Sequence, residues 1–470
     1  MPEPVVGLEV HLALRTATKL FCACPVPTLG DEPNASVCPV CLGLPGTLPV
    51  LNDRALDLAV TFALALGATV APEARFDRKH YFYPDSPKNY QISQHAMPVG
   101  RGGAVTLPGG KVVRIRHCHL EEDAGRLVHP PYAAYSLVDL GRAGTPLIEL
   151  VTEPDVSTPE EARAFLEEVQ AIARATGVSD ASPEEGKLRA DVNVSLRRED
   201  GSLGTKVEVK NLNSFRNVAA AVAYEAKRQE RLLEAGRPVV QETRGFNEGG
   251  QRTYTLRVKE GAEDYRYLAD PDLPAVGLAE RTRALAAAMP ELPAARSRRY
   301  AALGLRSEEA RLIAYDPAAA RVYDAALALA PTHARALAAW LSVDVAGLLA
   351  AEGRSLDPEA FPVAGLARLV TLVEGGDVSG PTAKGLLPEV LAGADPDALV
   401  AERGLAQVSD ADALERVVDE VLAANPDLVA RVRVNPKAVN ALLGEVMRAT
   451  RGTARPDLVR RLLEERLQPA

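Results

Sequence analysis

Three acids in succession, Glu121, Glu122 and Asp123, follow two histidines in RHCHLEEDAGR, residues 116–126. Like charges this close raise the free energy unless a cation or open water takes up their field. One account is an acidic strand end entering a solvated turn at Asp123-Ala124-Gly125. The other is a bound cation. In an extended segment Glu121 and Glu122 point to opposite faces, so one can meet a cation while the other serves a second layer or solvent. Periodicity leaves open which.

The same residue types recur at strand spacing elsewhere. In residues 5–13, Val6, Leu8, Val10 and Leu12 share one face while Glu9 and His11 share the other. In RADVNVSL, Val192, Val194 and Leu196 alternate with Asp191, Asn193 and Ser195. After a hairpin turn at Asp200-Gly201, Val207 and Val209 alternate with Lys206, Glu208 and Lys210. A half-exposed sheet would explain the alternation alone. The choice of Glu, His, Asp and Asn is instead that of metal and phosphate sites, so a concave catalytic face is expected. FDRKHYFYPDSPKNYQISQ (76–94) adds Lys79 and Lys88 as candidate phosphate contacts, and the Gly-rich turn GRAGTP (141–146) adds Arg142, the alternative for both stretches being an ordinary surface turn. No P-loop, dinucleotide fingerprint or acyl-enzyme motif is present, so any nucleotide site is of another kind.

Four of the five cysteines, Cys22, Cys24, Cys38 and Cys41, form two close pairs around a Pro/Gly-rich loop. That spacing suits a closed, structural tetrathiolate zinc site, although the first pair is C-x-C, with disulfides the weaker alternative in a cytosolic chain. Cys118 is expected to pack.

At 470 residues the chain is too long for one core. Strand, Gly and Pro signals fill residues 1–290, with helices expected from a Ser157/Glu160 capping box to Gly177 and from Ser214 to Gly236. Residues 291–405 read as a helical domain and 406–470 as a small helical tail. The fold class is α+β: a mixed or antiparallel-sheet catalytic cradle with a zinc-stapled loop, followed by helices. The net charge of −9 argues against a generally basic nucleic-acid coat. The tail nonetheless concentrates Arg431, Arg433, Lys437, Arg448, Arg451, Arg455, Arg460 and Arg461. No apolar run reaches the roughly 18–20 residues that span a bilayer, and the opening VVGLEVHLAL lacks a secretory leader's pattern, so the expected compartment is the cytoplasm.

VGLEVHLAL, KLFCACP, VCPVCLGLPGTLPVLN, HLEEDAGR, VDLGRAGTPLIELVTEPD, EEGKLRADVNVS, GTKVEVKNLNSFR and DYRYLADPDLP resemble the B-subunit family of the tRNA-dependent amidotransferases, as does the tail NPKAVNALLGEVMRATRGTARPDLV. The direct passage of DYRYLADPDLP into the helical region favours this form over the archaeal one with its synthetase-like insertion. The chain departs from the family's usual residues at His80, Gly141, Lys187 and Ala190. The resemblance implies ATP- and Mg²⁺-dependent phosphorylation of the carboxylate of Glu or Asp mischarged on tRNA(Gln) or tRNA(Asn), then amidation by ammonia. It implies His11, Glu122 and Glu9 as Mg²⁺ ligands, with Glu121 and Asp191 as acidic partners. Lys79, Lys88, Arg142, Lys206 and Lys210 would face phosphate. Implied partners are a glutaminase A subunit, a small C subunit, the mischarged tRNA bound through the tail, and the mischarging synthetase. Two other classes compete: a zinc-stapled RNA-binding protein, which leaves the acidic face unemployed, and a free-standing carboxylate–amine ligase, which leaves residues 300–470 without a role.

Overall fold

The computed structural model describes residues 2–198, 200–212, 214–258, 265–407, 411–434, 438–450 and 453–467. The chain divides into two compact units, 1–292 and 293–470. The first contains β1 (Pro4–Ala13), α1 (Asp53–Ala65), β2 (Thr69–Val70), β3 (Glu73–Ala74), β4 (Asp77–His80), β5 (Tyr90–Ser93), β6 (Gly100–Arg101), β7 (Ala104–Thr106), β8 (Val112–Glu122), β9 (Arg126–Val128), β10 (Leu137–Asp139) and β11 (Pro146–Thr152). Then come α2 (Pro159–Ala175), β12 (Leu188–Leu196), β13 (Val207–Leu212), α3 (Phe215–Glu234), β14 (Glu242–Asn247), β15 (Arg252–Val258), β16 (Leu268–Ala269), β17 (Val276–Gly277) and α4 (Ala279–Ala287).

Ten strands form one sheet in the order β15-β14-β13-β12-β1-β11-β8-β6-β2, with β7 pairing off β8. β1 is central and antiparallel to both neighbours, whereas β13 and β14 run parallel, so the sheet is mixed. Period-2 alternation gives the sheet one apolar face. Val6, Leu8, Val10 and Leu12 of β1 are fully buried with Val192 and Val194 of β12 and Ile148 and Leu150 of β11. They share a core with Phe62 of α1, Phe165 and Val169 of α2, and Val218 and Val222 of α3. Cys118 is buried there too. The opposite face is left to polar residues. A small sheet, β16-β4-β5, is separate and carries Lys79.

The expected capping box at α2 is shifted by one residue. Thr158, not Ser157, is the N-cap and accepts from Glu161 N at 3.1 Å, while the Glu161 carboxylate accepts from Ser157 N at 2.8 Å. The shift follows from Pro159, whose fixed φ suits the first helical position. Ser214 caps α3 as expected.

The second unit is helical, with two cores. Tyr300, Tyr323, Leu369, Val370 and Leu386 belong to one. Val418, Leu442, Val446, Val459 and Leu463 belong to the other. The helical stretch Pro331–Ala351 is long and apolar enough to cross a membrane by length and composition, contrary to the sequence reading. In the fold its Leu337, Trp340, Leu341 and Val345 pack into the first of these cores. In the tail, Arg448, Arg455 and Arg461 pair with Glu445, Asp457 and Glu465, which reduces the local positive excess. Lys437, Arg451 and the side chain of Arg433 lie outside the described residues.

Phe165 is fully buried between α2 and the sheet core. Phe165→Ala is expected to destabilise the first unit by about 3–5 kcal/mol, read as a lowered denaturant midpoint for that unit's transition.

Candidate functional site

Register assembles the polar face. His11 lies directly opposite Glu149 of β11 and Arg189 of β12, and Glu149 lies opposite His119 of β8. Glu121, two residues beyond His119 on the same strand, projects to the same side. The four side chains close into a ring. His11 Nε2 is 3.5 Å from Glu121 and 3.4 Å from Glu149, and His119 Nε2 is likewise 3.5 Å and 3.4 Å from the same two carboxylates. Burial opposes charge on His11, but Glu149 and Glu121 outweigh it and hold the imidazole up to about 9. His119 is also raised against burial, chiefly by Glu149 and Glu121. Glu149 is held low against burial by the two imidazoles and Lys79. Nearby His117 goes the other way, pushed down to about 4 by burial and by His119.

A second group adjoins the ring. Glu9 lies opposite Asp191, and donor atoms of Glu9, Asp191 and Glu208 all fall within 4.8 Å of one another. Lys210 Nζ donates to Asp191 at 2.8 Å and lies 3.6 Å from Glu208. Asn193 Nδ2 donates to Glu9 at 2.9 Å. Burial, then the Glu149, Glu208 and Asp191 charges, push the Glu9 carboxyl above its usual range.

Glu122 lies on the other side of β8. Its carboxylate accepts from Lys88 Nζ and from Ile92 N (2.8 Å). The expected set of His11, Glu122 and Glu9 is therefore not brought together as one group. His11 instead shares Glu121 and Glu149, with donor atoms within 4.8 Å, because neighbouring strand residues face opposite ways. One imidazole and two carboxylates are a donor set that a divalent cation would take. The orphaned, buried Nδ1 of His119 marks the same cluster as polar yet incompletely satisfied.

Lys79, Lys88 and Lys210 line one cleft together with Glu122, Tyr81 and Tyr265. Lys79 Nζ sits 5.0 Å from the Tyr265 ring, and Glu121, Tyr267 and Glu149 keep its ammonium raised despite burial. Two expected phosphate contacts are placed differently. Arg142 donates to the carbonyls of Ala124 and Gly125 at 3.1 and 2.9 Å, fixing the acidic turn, and Lys206 is exposed just before β13. Of the four departures, His80 Nδ1 lies 2.9 Å from the Arg266 carbonyl and Gly141 N donates to Asp139 at 2.9 Å. Lys187 pairs with Asp180 and Glu185, and Ala190 is buried on the apolar side.

The four cysteines converge, their sulfurs within 4.8 Å of one another. Cys41 Sγ accepts from Cys38 N at 3.0 Å, and facing Cys22, that N–H and Lys19 together pull its thiol below the usual range against burial. A depressed thiol among three others is the donor set a tetrahedral zinc ion takes. Cys22, Cys41 and Gly43 of this knuckle also wall a pocket that contains Lys88 and Glu122.

Sequence reasoning missed Glu149, His119, Arg189 and Lys19. Glu149 offered one signal, a lone acid inside the apolar strand PLIELVT.

The description "GatB/GatE catalytic domain" matches residues 4–284, and "GatB domain" matches residues 322–467. The B subunit of the aspartyl/glutamyl-tRNA(Asn/Gln) amidotransferase of Thermus thermophilus is 55% identical over 469 residues, covering 99% of each chain. The B subunits of the same amidotransferase from Deinococcus radiodurans and Thermomicrobium roseum are 50% and 48% identical, again covering 99% of each chain.

Gly43 has φ +65°, and a Cβ there would meet Lys88 Cγ at 2.5 Å; Gly46 has φ +85° with open space around it. Gly46→Ala should cost about 1 kcal/mol of backbone strain. Gly43→Ala should cost more and displace Lys88, read by thermal unfolding and a crystal structure of the variant.

Proposed function

The chain belongs to the GatB/GatE amidotransferase family, and on that premise we propose that it activates the side-chain carboxylate of Glu-tRNA(Gln) or Asp-tRNA(Asn) by ATP-dependent phosphorylation and then amidates it. A free carboxylate resists ammonia because an oxide-like group would have to leave. Attack of its oxygen on the γ-phosphorus of ATP releases ADP and leaves an acyl phosphate. Ammonia then adds at the acyl carbon, phosphate departs with one former carboxylate oxygen, and a proton is lost.

The observation that carries this reading is the ring of His11, Glu121, His119 and Glu149 beside a cleft containing three lysines. His11, Glu121 and Glu149 would hold Mg²⁺, which when bound offsets the charge between anionic carboxylate and triphosphate. Glu9 and Asp191 orient Lys210 and Asn193 at the edge of that site. Lys79, Lys88 and Lys210 present ammonium groups to the transferring phosphoryl oxygens. Glu122 holds Lys88 in place until substrate arrives. The cysteine knuckle would carry a structural zinc ion.

The relatives are each named as one lettered component of an amidotransferase, which supports a multi-subunit assembly. Ammonia would come from a glutaminase A subunit, joined by a small C subunit, because none of the clusters described is built for amide hydrolysis by an acyl-enzyme. Residues 406–470 would contact the tRNA body through phosphate and shape, in the cytoplasm, with the mischarging synthetase as a further partner.

The test is ADP formation by the assembled complex from Mg·ATP. It should appear with Glu-tRNA(Gln) and be absent with Gln-tRNA(Gln). Glu121→Gln and Glu149→Gln should each lower it about 100-fold or more. ADP release that ignores the amino acid on the tRNA, or survives both substitutions, removes the assignment.

A further inference from the structure

Lys19 lies completely inside the fold. Its ammonium donates to the Ser36 carbonyl at 2.6 Å and lies 3.7 Å from Cys41 Sγ. Among the described residues no carboxylate comes within ion-pair distance of it. A buried ammonium whose hydrogen-bond partners are one carbonyl and one sulfur is costly unless an anion compensates it. Glu122 lines the same pocket, but its carboxylate accepts from Lys88 and Ile92 N, so the thiols of Cys22, Cys24, Cys38 and Cys41 are left to supply negative charge to Lys19. If those four were paired as disulfides or left as neutral thiols, Lys19 would be an uncompensated buried charge.

The converse holds for the metal. Four thiolates around one zinc ion carry a net charge of −2, and a half-buried centre of that charge needs a cation close by. The backbone of Lys19 is anchored for this placement, its N–H donating to the Cys24 carbonyl at 2.9 Å and its carbonyl accepting from Asn52 Nδ2 at 3.3 Å.

We propose that Lys19 is the built-in counter-charge of the cysteine knuckle, a positioning residue whose ammonium lets the four thiolates hold zinc within the fold. This rests on the zinc reading above. Lys19 and the zinc centre each remove the penalty the other would incur alone, so the two are energetically coupled. Its aliphatic stem also packs, which an isosteric neutral side chain would preserve. The coupling therefore separates the charge from the packing.

The experiment compares the full-length native chain with Lys19→Met. Zinc content by mass spectrometry comes first: native protein purified without zinc and unable to take it up would end the zinc reading itself. With zinc present, release to 4-(2-pyridylazo)resorcinol should be about 10–100 times faster from Lys19→Met. Release within twofold of native overturns the proposal. Thermal unfolding of the metal-free proteins should show a reversed sign, Lys19→Met being as stable as native or more so. An equal loss of stability with and without zinc would make Lys19 a packing residue only. If Lys19→Met does not fold, acetylation of the native protein decides. Lys19 should resist acetic anhydride with zinc bound and react once zinc is chelated, whereas protection that persists without zinc overturns the proposal.

Discussion

Charge compensation on one face of the mixed sheet is the constraint from which the rest of the site follows. Strand alternation forces Glu9, His11, Glu121, Glu149 and Asp191 to share a side, because their neighbours Leu8, Val10, Leu120, Leu150 and Val192 fill the core. Acids brought together in this way must be neutralised. The protein does so with imidazoles at 3.4–3.5 Å around Glu121 and Glu149, and with Lys210 beside Asp191 and Glu208. The same arrangement is what a divalent cation and a phosphate require, one replacing imidazole protons and the other meeting the ammonium groups.

The end of β8 divides this chemistry in two. Glu121 faces the imidazoles while Glu122 turns to Lys88, so one strand end joins the metal-type cluster to the lysine-lined cleft. The cysteine knuckle reaches that cleft through Cys41, and with Cys22 and Gly43 it walls the pocket on which Lys88 and Glu122 also border; Gly144 approaches both Lys19 and Glu122. The knuckle is thus more than a distant staple, because its closure shapes the space around Lys88.

Much of the face was legible beforehand because period-2 alternation is a local signal. Glu9, His11, Asp191, Lys210 and the zinc-type cysteines all follow from spacing. What was not legible depends on long-range register. Whether Glu121 or Glu122 meets His11 is decided by β8 pairing with β11 and β11 with β1, pairings that no local pattern encodes. Glu149 escaped notice because its strand is otherwise apolar, and such runs read as core. Lys19 looked like any lysine at the head of KLFCACP until burial was known. The Ser157 cap missed by one residue because Pro159 sets the first helical turn. Arg142 looked like a phosphate ligand from its Gly-rich turn, yet neighbouring carbonyls occupy its guanidinium.

The most direct test of the account is electron–nuclear double resonance on Mn²⁺ substituted into the protein. One imidazole nitrogen should couple to the ion and be lost in His11→Gln, with weakened binding in Glu121→Gln and Glu149→Gln and an unchanged nitrogen signal in Glu122→Gln. A bound ion with no nitrogen coupling, or one whose signal depends on Glu122 and not on Glu121, would contradict it.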